Sequence, residues 1–266
     1  MIGRYGVALL TRPRLSRPAA PIVLAAHGSR DPASAATIGR LATAVGRRWP
    51  APVLAAFLDF DQPSIPDALR GLPAGPSSVV VPALLTRAYH RLIDLPMVLA
   101  STDIRTRLTS VLGPEVPTDL PDPLLVAALR RRLSELDTPV DGLVLIAAGT
   151  SDPGARSTVD VVAAEMGRQL NVACTVGYAS ASAPTAAEAV EAIRATGARR
   201  IAAAAYFLAP GRLYSAAAAS ARAGGAIGVA EPLGSAEELV RLILARATAA
   251  QRGIDASMLV STNKSQ

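Results

Sequence analysis

Apolar and polar positions along the chain change period in a regular order. Residues 22–27 (IVLAAH) are a strand-like run, apolar on both faces until it stops at the histidine, as a strand covered on both sides of a parallel sheet requires. Residues 32–48 (PASAATIGRLATAVGRR) then place their apolar positions at helical spacing. A strand-like run at 53–59 and a proline-led helix over 63–72 follow. Next come a strand at 78–85, a helix reached through 86-TRAY-89, a weaker strand near 108–112 and a closing amphipathic helix at 121–136. Strand and helix alternating about four times predict a parallel sheet flanked by helices.

After a short polar stretch, 137-DTPVDG-142, the same order returns. Strands are predicted at 143–147, 172–179, 199–207 and 226–230, and helices at 154–169, 184–196, 212–223 and 235–249. The segment 22-IVLAAHGSRDP-32 is answered by 143-LVLIAAGTSDP-153, and Pro63 by Pro184, both at an offset of 121 residues. The chain is therefore expected to be α/β: two similar domains, 21–137 and 142–250, each a mostly four-stranded parallel sheet flanked by helices. The cleft between them is the natural ligand site. Residues 1–20 and 251–266 are expected to be flexible tails.

Composition narrows the partners. Of the 266 residues half are apolar, enough for two full cores, and aromatics make up only 3%. The one cysteine, Cys174, cannot form an internal disulfide, which points to a reducing, cytoplasmic setting. No apolar run approaches the roughly 18 residues of a membrane span, and the N-terminus lacks a signal-peptide core. The formal charge is +6, and Lys264 is the only lysine among 27 basic residues. No basic cluster is interleaved with aromatics, which argues against nucleic acid. Scattered arginines suit a small molecule bearing many carboxylates instead. Two domains in one chain already supply both walls of a cleft, so a monomer is expected.

The chemically capable side chains fall at strand ends of the first domain. His27 follows the first strand, Asp59 ends the second within 57-FLDFDQPS-64, and His90 follows the third within 84-LLTRAYHRLIDLP-96. Strand ends on one sheet edge can converge on a point. Two imidazoles and a carboxylate suit a divalent metal such as Fe2+, Co2+, Ni2+ or Zn2+, and imidazoles also move protons near neutral pH. A histidine at a strand end also serves as a plain loop residue, and an aspartate as a turn or cap residue. The repeat is an internal control on that reading. Ala148 stands opposite His27, Ser180 opposite Asp59 and Leu213 opposite His90. The second copy keeps the framework without these three residues, so they are assigned to chemistry.

At 26-AHGSRDP-32, 56-AFLDFDQPS-64 and 90-HRLIDLP-96 the chain resembles the sirohydrochlorin chelatases, the class II chelatases of modified tetrapyrrole synthesis. Residues 142–249 look like the partner domain of the two-domain long form. The resemblance implies ATP-independent insertion of a divalent metal into sirohydrochlorin, for sirohaem or cobalamin, with His27 and His90 as the metal-binding and proton-accepting pair. The metal, Fe2+ in preference to Co2+, is then a substrate, and no organic cofactor is implied. Asp59 stands where the family often has glutamate, and Ala88 where it has glycine. Asp59 is taken as a third ligand and Asp94 as a residue that orients His90. Ser29, Arg30, Arg87 and Arg91 flank the site and are the candidates for binding substrate carboxylates. Two other readings use the same residues. One is a non-catalytic carrier of metal or tetrapyrrole. The other is a histidine phosphatase-like enzyme, which would want arginine where Ala26 stands.

Overall fold

The computed structural model describes residues 19–73, 75, 77–86, 89–253 and 259–260, and for 89–94 and 259–260 the backbone alone. Four strands of the first copy, β1 (Ile22–Ala26), β2 (Val53–Phe57), β3 (Ser78–Pro82) and β4 (Thr106–Leu108), pair in parallel in the order β2-β1-β3-β4. The second copy repeats this with β5 (Gly142–Ala147), β6 (Ala173–Tyr178), β7 (Ile201–Ala205) and β8 (Gly228–Val229), in the order β6-β5-β7-β8. The expected two-sheet α/β architecture is borne out. Each central strand is completely buried, as its unbroken apolar sequence demands.

Helices alternate with the strands: α1 (Pro32–Gly46), α2 (Ile65–Arg70), α3 (Tyr89–Ala100) and α4 (Pro123–Ser134), then α5 (Pro153–Leu170), α6 (Ala186–Ala195), α7 (Arg212–Ala223) and α8 (Glu237–Arg252). The repeated Asp-Pro sets the start of α1 and of α5 alike. Asp31 accepts from Ala33 N at 3.0 Å and Asp152 from Gly154 N at 2.8 Å, each followed by proline at the first helical position.

Side chains alternate across β1 and β5. Ile22, Leu24, Leu143 and Leu145 face one core, whereas Val23 and Ala25, and Val144 and Ile146, face two separate outer cores. The shared core is built with α1, α4, α5 and α8, and it spans both copies. Here the closing helices change places: α4 packs on β7 of the second sheet, and α8 packs on β3 and β4 of the first. The two also pack on each other, and Arg131 Nε meets Glu238 Oε2 at 3.1 Å across that contact. The two sheets are thus bound by crossed helices rather than by the linker alone.

Two local differences from the sequence reading have clear causes. The fourth strand lies at Thr106–Leu108, not 108–112. Val111 and Leu112 are apolar because they are fully buried in a loop, where Leu112 N donates to Leu84 O at 2.9 Å. Within the segment read as a C-terminal tail, Leu259–Val260 forms a short strand, β9, antiparallel to β4.

Candidate functional site

The site forms where β1 and β2 end. Leu58 N donates to Ala26 O at 3.0 Å and Asp59 N to His27 O at 2.9 Å, so the ladder runs on past the strands and sets Asp59 beside His27. Gly28 makes this approach possible. It has φ +92°, and a Cβ there would lie 1.8 Å from Asp59 O. The second copy is built the same way. Ser180 N donates to Ala148 O at 3.2 Å, and Gly149, at φ +89°, would place a Cβ 1.8 Å from Ser180 O.

Equivalent backbones carry different side chains. His27 Nδ1 lies 3.8 Å from Asp59 Oδ2, with the His27 side chain 25% and the Asp59 side chain 61% exposed. That separation is too long for a hydrogen bond. Two donors held at about 2.1 Å by one tetrahedral metal lie roughly 3.4 Å apart, so a small side-chain adjustment would serve both. Opposite Asp59, Ser180 turns its hydroxyl to donate to Ala148 O at 3.1 Å. The second copy ties this position back into its own loop, and the first leaves a carboxylate exposed beside an imidazole.

The remaining loop polar groups serve both copies alike. Ser29 N donates to Asp61 Oδ2 at 2.9 Å, and Asp31 N donates to Ser29 Oγ at 3.1 Å. In the second copy Thr150 N donates to Ser182 Oγ and Asp152 N to Thr150 Oγ1, each at 3.2 Å. Ser29 therefore has a framework bond that its counterpart also makes. Asp61, which the sequence reading passed over, sits at the same 121-residue offset from Ser182 and does a framework task too.

His90 is the second residue of α3, and Leu213 is the second residue of α7. The pairing inferred from the repeat thus holds at the level of the backbone. The side chains of His90, Arg91 and Asp94 lie outside the described residues, as does Arg87 altogether. Among the described residues no group of three His, Cys, Asp or Glu side chains gathers as a metal site; His27 and Asp59 are a pair. Arg30 is exposed, with its guanidinium carbon 5.4 Å from the centre of the Phe60 ring.

Between the copies lies a cavity of about 260 Å3. The ends of both central strands open into it through His27 and Gly28 on one side and Ala148, Gly149 and Thr150 on the other. Its inner wall includes Tyr178 and Tyr206. Burial, reinforced by the negative charge of Asp160, pushes the Tyr178 hydroxyl up to about 12. Burial alone raises Tyr206, which keeps its proton and donates it to Leu85 O at 2.7 Å, joining the two copies. Leu208 and Ala209 of the second copy pack on Ala26, Ile38, Phe57 and Ala83 of the first. Neither tyrosine was singled out from sequence. Each reads as an ordinary aromatic strand end until the second sheet is placed opposite the first.

A family model for CbiX matches residues 21–136 and again 142–250. A sirohydrochlorin cobaltochelatase of Methanothermobacter thermautotrophicus is 32% identical over 85 residues. That stretch spans 31% of this chain and 59% of the archaeal protein. The fold is similar to that of the sirohydrochlorin chelatase SirB from Bacillus subtilis subspecies spizizenii in complex with cobalt, with a TM-score of 0.71 at 18% identity over 88% of this chain and 96% of that one. SirB from Bacillus subtilis with Fe3+ gives 0.70 at 20% identity, over 89% and 99%. CbiX, described as the terminal enzyme for biosynthesis of siroheme in denitrifying bacteria, gives 0.63 at 22% identity, over 86% and 99%.

Proposed function

Because the chain belongs to the CbiX family, we propose that it is a sirohydrochlorin chelatase, inserting a divalent metal into the tetrapyrrole without ATP. The observation that carries this reading is the asymmetry of the repeat. Two copies share one loop framework, and only the first places an imidazole and an exposed carboxylate on it. In this reading His27 and His90 hold the incoming metal and accept the pyrrole protons, and Asp59 is a weaker third ligand. An open set of few ligands suits a site that must give its metal up. The metal is Fe2+ in preference to Co2+, since the chain has only two histidines and no histidine-rich stretch to gather cobalt.

The cavity is smaller than the usual range of about 300–1,000 Å3 for enclosed ligand sites. A tetrapyrrole would therefore lie across its mouth, with its centre over His27 and its carboxylates toward solvent. Arg30, together with Arg87 ahead of α3 and Arg91 in the first turn of α3, would meet those carboxylates bidentately. Asp94 would orient His90. The chain acts as a monomer in the cytoplasm, with the second copy as wall and lid.

The test is a turnover assay of the full chain with sirohydrochlorin and Fe2+ or Co2+, followed by the absorbance change on metallation. His27→Ala and His90→Ala should each lose about 100-fold or more in rate while folding normally. Asp59→Ala should lose less. A wild-type rate no higher than the uncatalysed background would leave a carrier, not an enzyme.

A further inference from the structure

Phe60 stands out among the residues around His27. It lies between the two aspartates of 57-FLDFDQPS-64 and its backbone is left-handed, with φ +65°. That region is uncommon for any residue with a Cβ and a genuine outlier for a bulky one. The side chain gains little from the fold in return, since Phe60 is 60% exposed. A large apolar ring in water beside a cleft is the type of group that a ligand covers.

The repeat again separates fold from function. Ala181 occupies the same place in the second copy, also left-handed at φ +55°. The loop therefore needs the backbone turn in both copies, but it needs an aromatic ring in neither. What the ring does touch belongs to the site. Its centroid is 5.9 Å from that of the His27 imidazole at an interplanar angle of 89°, and Arg30 lies over its face.

We infer that Phe60 is a substrate-contacting residue: the apolar rest for the rim of a flat, carboxylate-bearing aromatic macrocycle whose centre is presented to His27, with Arg30 held against the ring as its carboxylate clamp. The inference rests on the chelatase reading and adds a specificity element to it. Phe60 lies inside the footprint that a tetrapyrrole centred on His27 would cover, and covering it removes the ring from water. The Arg30 guanidinium, parked on the Phe60 face, is kept at the edge of that footprint without a partner carboxylate of its own copy being required.

The experiment uses the full chain with Phe60→Ala, Phe60→Gly and Phe60→Tyr. Three quantities are read: binding and KM for sirohydrochlorin, kcat for Co2+ insertion, and Co2+ affinity by calorimetry without the tetrapyrrole. Phe60→Ala and Phe60→Gly should raise KM and weaken sirohydrochlorin binding by about tenfold. Co2+ affinity should stay within about twofold, and Phe60→Tyr should restore wild-type binding. Phe60→Gly should melt no lower than the wild type, because glycine accepts the left-handed turn. An unchanged KM in Phe60→Ala would overturn the proposal. So would a loss of Co2+ binding, which would make Phe60 a support for His27, or a lower melting temperature in Phe60→Gly, which would make it a support for the fold. If the wild type itself does not bind sirohydrochlorin, the chelatase reading fails along with it, and that outcome is visible before any variant is made.

Discussion

Gly28→Ala and Gly149→Ala make a matched pair that tests the repeat as a physical control. Each methyl would start 1.8 Å from a carbonyl oxygen, where ordinary contact begins at 3.4 Å. The oxygen belongs to backbone, so it cannot swing aside as a side chain would. Forcing alanine into a positive φ costs about 1–2 kcal/mol. Opening the two loops to admit the methyl costs about 1–3 kcal/mol more. It also strains the bonds that run between them, Asp59 N to His27 O at 2.9 Å in one copy and Ser180 N to Ala148 O at 3.2 Å in the other. Each variant should therefore lose about 2–5 kcal/mol. At roughly 2–4 °C per kcal/mol for a chain of this size, thermal unfolding followed by circular dichroism should fall by about 4–20 °C in both. Metallation measured well below both melting temperatures should then divide them. Gly28→Ala moves Asp59 away from His27 and should lose activity, whereas Gly149→Ala disturbs a loop without those groups and should keep it. Equal activity in the two variants, or a wild-type melting temperature in either, would refute the reasoning.

Tyr206→Phe removes the 2.7 Å bond to Leu85 O that joins the copies and leaves that carbonyl buried, a loss of about 1–3 kcal/mol readable as a lower melting temperature. Burial raises the pKa of Tyr206 and takes Tyr178 up to about 12. A phenol raised in the folded state contributes its stability in full below its usual value of 10.0 and loses it as the pH climbs toward the folded value. Denaturant unfolding should therefore become easier from pH 10 upward, and Tyr206→Phe should flatten the dependence. Tyrosinate absorbance at pH 10 that is smaller in Tyr206→Phe than in the wild type, with the fold intact in both, would contradict this. Cutting the chain within 137–141 should give two halves that are poorly folded alone and recover structure when expressed together, because α8 covers β3 and α4 covers β7. A first half that is soluble and cooperatively folded by itself would refute the crossed packing.

How much the sequence discloses depends on whether a feature is local or relational. The strands β1 and β5 are legible because a parallel central strand is apolar at every position, and α1 and α5 because Asp-Pro marks their starts. The placement of His27 beside Asp59 is legible too, since parallel neighbours with equivalent ends must bring the residues just beyond them together. The crossing of α4 and α8 is not. A helical pattern such as PLLVAALRRRLS says which face is buried, and says nothing about which of two nearly identical sheets buries it. The loop carrying Val111 and Leu112 resembles a strand in sequence for a related reason. Full burial produces an apolar run in a loop as well as in a strand, and only the end of the pairing with β3 at Leu108 tells them apart. Phe60 is not legible because a phenylalanine in sequence reads as core, and only its exposure beside His27 and Arg30 sets it aside.

The crossed helices also bear on how one copy can lack these side chains and still be retained. A second domain tethered only by a linker would be free to drift once its own site decayed. Here the inward faces of both sheets, Leu24 with Leu145 and Val79 with Ala202, belong to one core with α4 and α8, so neither sheet is complete without the other copy's closing helix. The second copy is then held by the shared core as well as by its place in the cavity wall, and the side chains of its loop are free to differ wherever the framework bonds do not need them. That is where the changes fall. Thr150, Asp152 and Ser182 keep the bonds of Ser29, Asp31 and Asp61, and Gly149 keeps the turn of Gly28, while Ala148, Ser180, Ala181 and Leu213 stand opposite His27, Asp59, Phe60 and His90. Division along that line places Phe60 on the side of His27, Asp59 and His90, the residues proposed for function, and places Asp61 with the scaffold.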